Sequence, residues 1–261
     1  MRWSWQVAKV AGIPIRIHAT FLLLVGWIVF SVISEGQGTL AAVETVLLLL
    51  AVFACIVLHE FGHALTARRY GIRTRDITLL PIGGVARLER IPERPLHEFL
   101  VAVAGPAVTL AIAAILLLVL GAVWPVTARN LIAFLTPFWN VFFATPPVEA
   151  PGGFVAELFL VNLMILLFNL IPAFPMDGGR VLRAVLATRL DYVRATQIAA
   201  GAGQVLAVLF AVIGINSHSI LLPLVALFVF LVAGQESSMA QMRTAFAGVP
   251  VSRAMIRDFK T

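Results

Sequence analysis

Val46-Leu47-Leu48-Leu49-Leu50-Ala51-Val52-Phe53-Ala54-Cys55-Ile56-Val57-Leu58 runs directly into His59-Glu60-Phe61-Gly62-His63. The first part is an uninterrupted apolar run fit for a bilayer, and the second places two imidazoles and a carboxylate on the same helix. His59 and His63 stand one helical turn apart on one face, which lets them share a metal ion. Glu60 lies about 100° round the axis from His59, near enough to hold and deprotonate a water at that ion. Such groups within an apolar helix are costly unless they meet a partner, a metal or water. Neutral imidazoles suit zinc. Cys55, one turn before His59, reads as a buried apolar thiol. As the single cysteine of the chain, it excludes an intramolecular disulfide framework and a multi-cysteine zinc site. A catalytic zinc takes three protein ligands and keeps one position open, so this reading requires a third ligand from elsewhere.

Outward from that stretch, the whole chain has the same character. Of 261 residues, 61% are hydrophobic and 12% charged, with a mean hydropathy of +0.99, which excludes an ordinary soluble domain. The expected fold class is an all-α polytopic membrane protein with six transmembrane helices. Apolar runs with few charges place them at about Ile17–Ser34, Ala41–Ala67, Phe99–Trp124 and Phe154–Ile171. Two more come from the uncharged run Ala195–Gln235, divided by the polar turn Ile215-Asn216-Ser217-His218-Ser219. With the N-terminus inside, 18 of the 19 Lys and Arg residues fall on the cytoplasmic side and Arg129 alone falls outside. That bias makes the chain a multi-pass protein of the cell membrane with both termini cytoplasmic. The net charge of +6 is explained by anionic headgroups of the lipid bilayer and calls for no nucleic acid. No small-x-small cleavage site follows the first apolar run, which reads as a signal anchor.

A second constellation offers the third ligand: Asn169-Leu170-Ile171-Pro172-Ala173-Phe174-Pro175-Met176-Asp177-Gly178-Gly179-Arg180. Two prolines at the end of an apolar span break the helix, which at membrane depth is tolerated within protein or beside a wet cavity. The broken segment presents Asp177, and Gly178 and Gly179 permit a tight turn. A helix-end turn with Asp177 as N-cap is the plainer alternative. Beside the histidine pair, the ligand role is favoured.

These two motifs, in this order and on separate spans, resemble the site-2 protease family of intramembrane zinc metalloproteases, in its prokaryotic six-span form. The pentad resembles that family's His-Glu-x-x-His, and the second stretch its Asn-x-x-Pro-x-x-Pro-x-Asp-Gly. Pro81-Ile82-Gly83-Gly84 and Ala104-Gly105-Pro106 extend the resemblance, which reaches from about Leu58 to Arg183. It implies one zinc per chain on His59, His63 and Asp177, Glu60 as the base, and Asn169 on the substrate or oxyanion. Thr109 departs from the asparagine expected after the Gly-Pro pair. The substrate implied is a single-span membrane protein cut in or near its transmembrane segment.

Thr74 to Leu88 reads as a small membrane-associated β-hairpin between the second and third spans, turning at Gly83-Gly84. With Pro81, Gly83 and Gly84 at its tip, it would lie by the cytoplasmic mouth of the site. Its free edge could pair with a substrate unwound into extended form, or the hairpin could only link two spans. His18, His97 and His218 are read as ordinary interfacial histidines, and Asn162 as an interhelical hydrogen-bonder. Residues 1–236 form the membrane domain in this reading, and 237–261 a cytoplasmic tail beginning with a short amphipathic helix. The stretch Val249-Pro250-Val251-Ser252-Arg253-Ala254-Met255-Ile256 resembles the opening of a CBS domain, so the chain is expected to be truncated before one. A nucleotide partner is expected only if a CBS pair exists in the full-length protein. Two competing readings use the same residues: a transporter binding a permeating cation at the His/Asp cluster, and a non-catalytic zinc-bound scaffold. The absence of a clear internal repeat counts against the first, and an otherwise idle Glu60 against the second.

Overall fold

The pentad lies in a 32-residue helix, α2 (Gly38–Arg69), long enough to carry it through a bilayer and beyond. The structure is a computed structural model that describes residues 3–90, 92, 94–135, 151–217 and 220–245. In chain order, β1 (Ser4–Val10), β2 (Ile13–His18) and α1 (Ala19–Ser34) precede α2. After it come β3 (Thr74–Leu80), β4 (Gly83–Leu88), α3 (Pro95–Val123), α4 (Pro125–Leu135) and α5 (Gly153–Leu170). The remainder comprises α6 (Asp177–Leu186), α7 (Tyr192–Asn216) and α8 (Leu221–Ala245). Among the described residues, five helices are long and apolar enough to cross a membrane: α2, α3, α5, α7 and the part of α8 from Leu222 to Met242. At 16 residues α1 is shorter, about 24 Å against a hydrocarbon core of roughly 30 Å. The described protein is therefore mostly helical, with five long apolar helices, one short one and a small sheet.

Each expected span overlaps one of these helices, although Ile17 and His18, placed in the first span, belong to β2; the expected hairpin is only half of the β structure. Residues 74–88 pair with the N-terminus in one four-stranded sheet of order β1-β2-β3-β4. β1 and β2 are antiparallel around Ala11-Gly12, both of which have positive φ, as a two-residue hairpin turn requires. β2 then runs parallel to β3, from Ile15↔Ile77 to Ile17↔Leu79. A parallel pair needs a long crossover, here the α1–α2 helical pair, so the partner of β3 lies about sixty residues upstream. The turn of the second hairpin also differs from expectation. It consists of Pro81-Ile82, while Gly83 and Gly84 already belong to β4, opposite Leu80 and Leu79.

Ile13 and Ile15 of β2 and Ile77 of β3 bury one face of the sheet against Phe61 and Ala64 of α2. Phe61 belongs to the pentad, so the sheet braces the helix turn that carries it. A buried carboxylate ties the strands sideways: Asp76 accepts hydrogen bonds from Arg87 of β4 and from Thr78, with Arg16 of β2 at 4.0 Å. Burial pushes the Asp76 carboxyl up, but the Arg87 hydrogen bond and charge, aided by Thr78 and Arg16, outweigh it and hold the group below its ordinary 3.8. A depressed carboxylate contributes stability that is present above its ordinary value and is lost as pH falls through the folded one. Amide protection in β3 and β4 should accordingly hold from neutral pH down to about 3.8 and then decline. Asp76→Asn should weaken that protection already at neutral pH. Hydrogen exchange measured across this range checks both outcomes.

The chain divides into two compact units, residues 1–171 and 172–261. Within the first, Ala113 and Leu120 of α3, Ala128 and Leu131 of α4, and Ala156, Phe159 and Leu160 of α5 form one core. Phe21 of α1 meets Phe53 of α2 edge-on at 4.6 Å. Within the second, Phe174 packs on Ala199 and Ala200 of α7 and Ala233 of α8. α8 continues unbroken past Gln235 to Ala245, where a separate tail helix was expected. Residues 246–261, including the CBS-like stretch, and His218 lie outside the described residues. His18 accepts a hydrogen bond from the Thr20 backbone as N-cap of α1, and His97 stacks on Tyr70 at 4.0 Å.

Candidate metal centre

His59 and His63 are each 5% exposed, and their orientation is set by what their Nδ1 atoms meet. His63 Nδ1 lies 2.7 Å from the backbone oxygen of Val101 in α3. A carbonyl only accepts, so His63 carries its proton on Nδ1 and presents a lone pair at Nε2. His59 Nδ1 lies 2.8 Å from Thr109 Oγ1. The Thr109 hydroxyl donates to the Gly105 carbonyl one turn back, so its oxygen accepts from His59 in the same sense. The two Nε2 atoms then face each other at 3.1 Å, lone pair to lone pair. That arrangement is repulsive on its own and favourable with a cation between them, so the residues fit a metal ion.

Two glycines create the room for this. A Cβ on Gly105 of α3 would sit 2.7 Å from His59 Nε2 and closer still to the His63 ring. A Cβ on Gly62 of α2 would sit 2.6 Å from the Ala104 carbonyl oxygen. The backbones of α2 and α3 therefore approach at the depth of the imidazoles, as small residues permit between membrane helices. Gly105 and the Val101 carbonyl are functional groups that sequence reading did not assign. A Gly-Pro pair inside an apolar helix was the available signal for the first. Nothing in a sequence marks the second, because every residue has a carbonyl.

Thr109, which departs from the expected asparagine, holds His59 and is 1% exposed. Thr109→Val should weaken zinc binding by roughly 10–100-fold, the usual cost of losing a group that orients a ligand, whereas Thr109→Ser should retain it. Competition against a chelating dye measures both.

Asp177 opens α6 at its first helical position, 8% exposed, with Met176 rather than Asp177 as the N-cap. Among the described residues, His59, His63 and Asp177 are the group of possible metal ligands. Glu60 is half-buried, and its side chain faces β4: a Cβ on Gly84 would lie 3.0 Å from Glu60 Cγ. Of the expected hairpin residues, Gly84 thus packs against Glu60, while Pro81 forms the turn. Asn169 stands in the last turn of α5 and donates from Nδ2 to the Ile165 carbonyl at 3.0 Å. Asn162 donates within its own helix, to Leu158 O, and among the described residues its buried Oδ1 has no partner.

Comparison with known proteins agrees with this geometry. The pattern of Peptidase family M50 matches residues 47–210. A zinc metalloprotease of Methanocaldococcus jannaschii is 37% identical over 98% of this chain and 67% of its own length. The Rip3 protein of Mycobacterium tuberculosis is 31% identical over 98% of this chain and 64% of its own. The chain thus spans about two thirds of the length of these relatives. The solved structure of the site-2 protease from Methanocaldococcus jannaschii superposes with a TM-score of 0.60 at 34% identity, covering 99% of both chains. With the His-His-Asp cluster as its zinc site, the chain belongs to Peptidase family M50 and is a membrane zinc metalloprotease of the site-2 type.

Proposed function

We propose that this chain hydrolyses a peptide bond in or near the transmembrane segment of a single-span membrane protein, with Glu60 as general base. The observation that carries this reading is the contact between Glu60 and Gly84, which sets the base against the start of a strand whose outer edge has no neighbour in the sheet among the described residues. An extended substrate adding to that edge would lie alongside the carboxylate. His59, His63 and Asp177 hold the zinc. When bound, zinc supplies Lewis acidity, which acidifies a water and stabilises charge developing on the scissile carbonyl. The Glu60 carboxylate accepts the proton from the attacking water and returns it to the leaving amine. Asn169 spends one amide N–H on Ile165, which leaves the other for the oxyanion. Pro81 and Gly83 shape the tip and entry of β4 rather than touching substrate.

In the same reading α1 counts as a sixth, short span, and both termini face the cytoplasm, supported by the arginine distribution. Residues 1–236 act as the membrane protease and 237–261 as a cytoplasmic segment. A nucleotide enters only if a CBS pair exists in the full-length protein. The test is cleavage of labelled single-span substrates by purified protein, with and without chelator. Chelator-sensitive cleavage within the span is expected; cleavage that survives zinc removal would refute the proposal.

A further inference from the structure

Arg183 is 3% exposed, an unusual place for a guanidinium, since a buried cation is costly unless partners offset its lost hydration. It lies in the last turn of α6, the helix that Asp177 opens. Its guanidinium carbon sits 4.9 Å from the ring centre of Phe174 and 4.9 Å from that of Tyr192, at the start of α7. Glu236 of α8 approaches Nη1 to 3.9 Å. A leucine would pack α6 onto its neighbours at less cost, so packing alone does not explain an arginine here. What arginine adds is a flat cation able to cover two ring faces while pairing with a carboxylate.

One of those rings belongs to the segment that presents Asp177. Phe174 is 1% exposed, and its backbone N–H donates to the Ala199 carbonyl at 3.2 Å. Gly203 leaves room for its carbonyl, where a Cβ would collide. Two turn hydrogen bonds then lead on to Asp177: Met176 N–H to Ala173 O at 3.1 Å, and Gly179 N–H to Met176 O at 3.0 Å. Gly179 in turn lies against the Ala173 backbone, with a Cβ there only 2.7 Å from Ala173 O. The backbone from Ala173 to Gly179 is thus one braced turn with Asp177 within it, and the Phe174 ring is its handle.

We propose that Arg183 is a positioning residue for Asp177, acting through Phe174. Tyr192 and Glu236 hold the guanidinium, the guanidinium holds the ring, and the ring sets where the carboxylate stands. The inference rests on Asp177 being a zinc ligand. Lysine keeps the charge opposite Glu236 but has no planar face, so it should not replace arginine.

The test is zinc titration of the full chain in detergent or nanodiscs, with the unfolding temperature of the zinc-free protein recorded alongside. Arg183→Leu should weaken zinc binding roughly 10–100-fold, as other losses of supporting groups do. Arg183→Lys should fall nearer to Arg183→Leu than to the parent, and Tyr192→Leu should weaken binding about tenfold. At saturating zinc, KM should be unchanged. Should Arg183→Leu not fold, the lysine and Tyr192 variants carry the comparison. Affinities within twofold of the parent in these variants, or full rescue by lysine, would overturn the proposal. So would a fall in the zinc-free unfolding temperature with zinc affinity intact, the mark of a purely structural role. His59→Ala is run in parallel: if it binds zinc as the parent does, the zinc assignment itself fails, a result distinct from failure at Arg183.

Discussion

Glu60→Gln should abolish peptide cleavage while zinc remains bound. The amide is isosteric with the carboxylate but cannot accept a proton at neutral pH, so the general-base contribution, roughly 10²–10⁴-fold, is lost outright. Glu60 is not among the three clustered ligands, and both histidines are oriented by Thr109 and Val101, so the metal site should stay intact. Single-turnover cleavage combined with zinc content per chain measures both halves. Loss of zinc in this variant would move Glu60 from base to ligand. Residual cleavage within tenfold of the parent would require a different base.

Gly105→Ala should be as damaging as removal of a zinc ligand, although glycine contributes no ligand atom. The new methyl would occupy the space that the His59 and His63 rings share, and neither ring can retreat without breaking its Nδ1 hydrogen bond. Zinc affinity should fall by more than the roughly 10–100-fold typical of losing one supporting group, since both imidazoles are displaced together. Gly121, on the same helix, is the control. No described residue lies within 4 Å of a Cβ built there, so Gly121→Ala should bind zinc as the parent does. Equal behaviour of the two variants would show that α3 does not pack on the imidazoles as described.

Much of this protein was legible in its residues because membrane helices and metal ligands obey local rules. A charge-free run of some twenty residues has one low-energy form in a bilayer, so the long helices fell where the sequence placed them. The i, i+4 spacing of His59 and His63 fixed a shared face before any fold was known. The N-terminal strands were missed although their signal was present: apolar Ile13, Ile15 and Ile17 alternate after the Ala11-Gly12 turn. Their apolar content invited reading them as the approach to a span. The partner that makes a sheet of them, β3, is separated from them by two helices.

The sequence by itself therefore determined the solvent of this protein, the apolar helices and the shared face of His59 and His63, since each depends on composition and short-range periodicity; Asp177 entered through the resemblance of its motif to a known family. Only the tertiary structure decided which nitrogen of each histidine faces the metal, that Gly105 clears the space for them, and that Gly84 lies against Glu60. It also decided that Arg183 stacks on Phe174. These are contacts between segments remote in the chain or across the face of a turn, and no local rule specifies which surfaces meet.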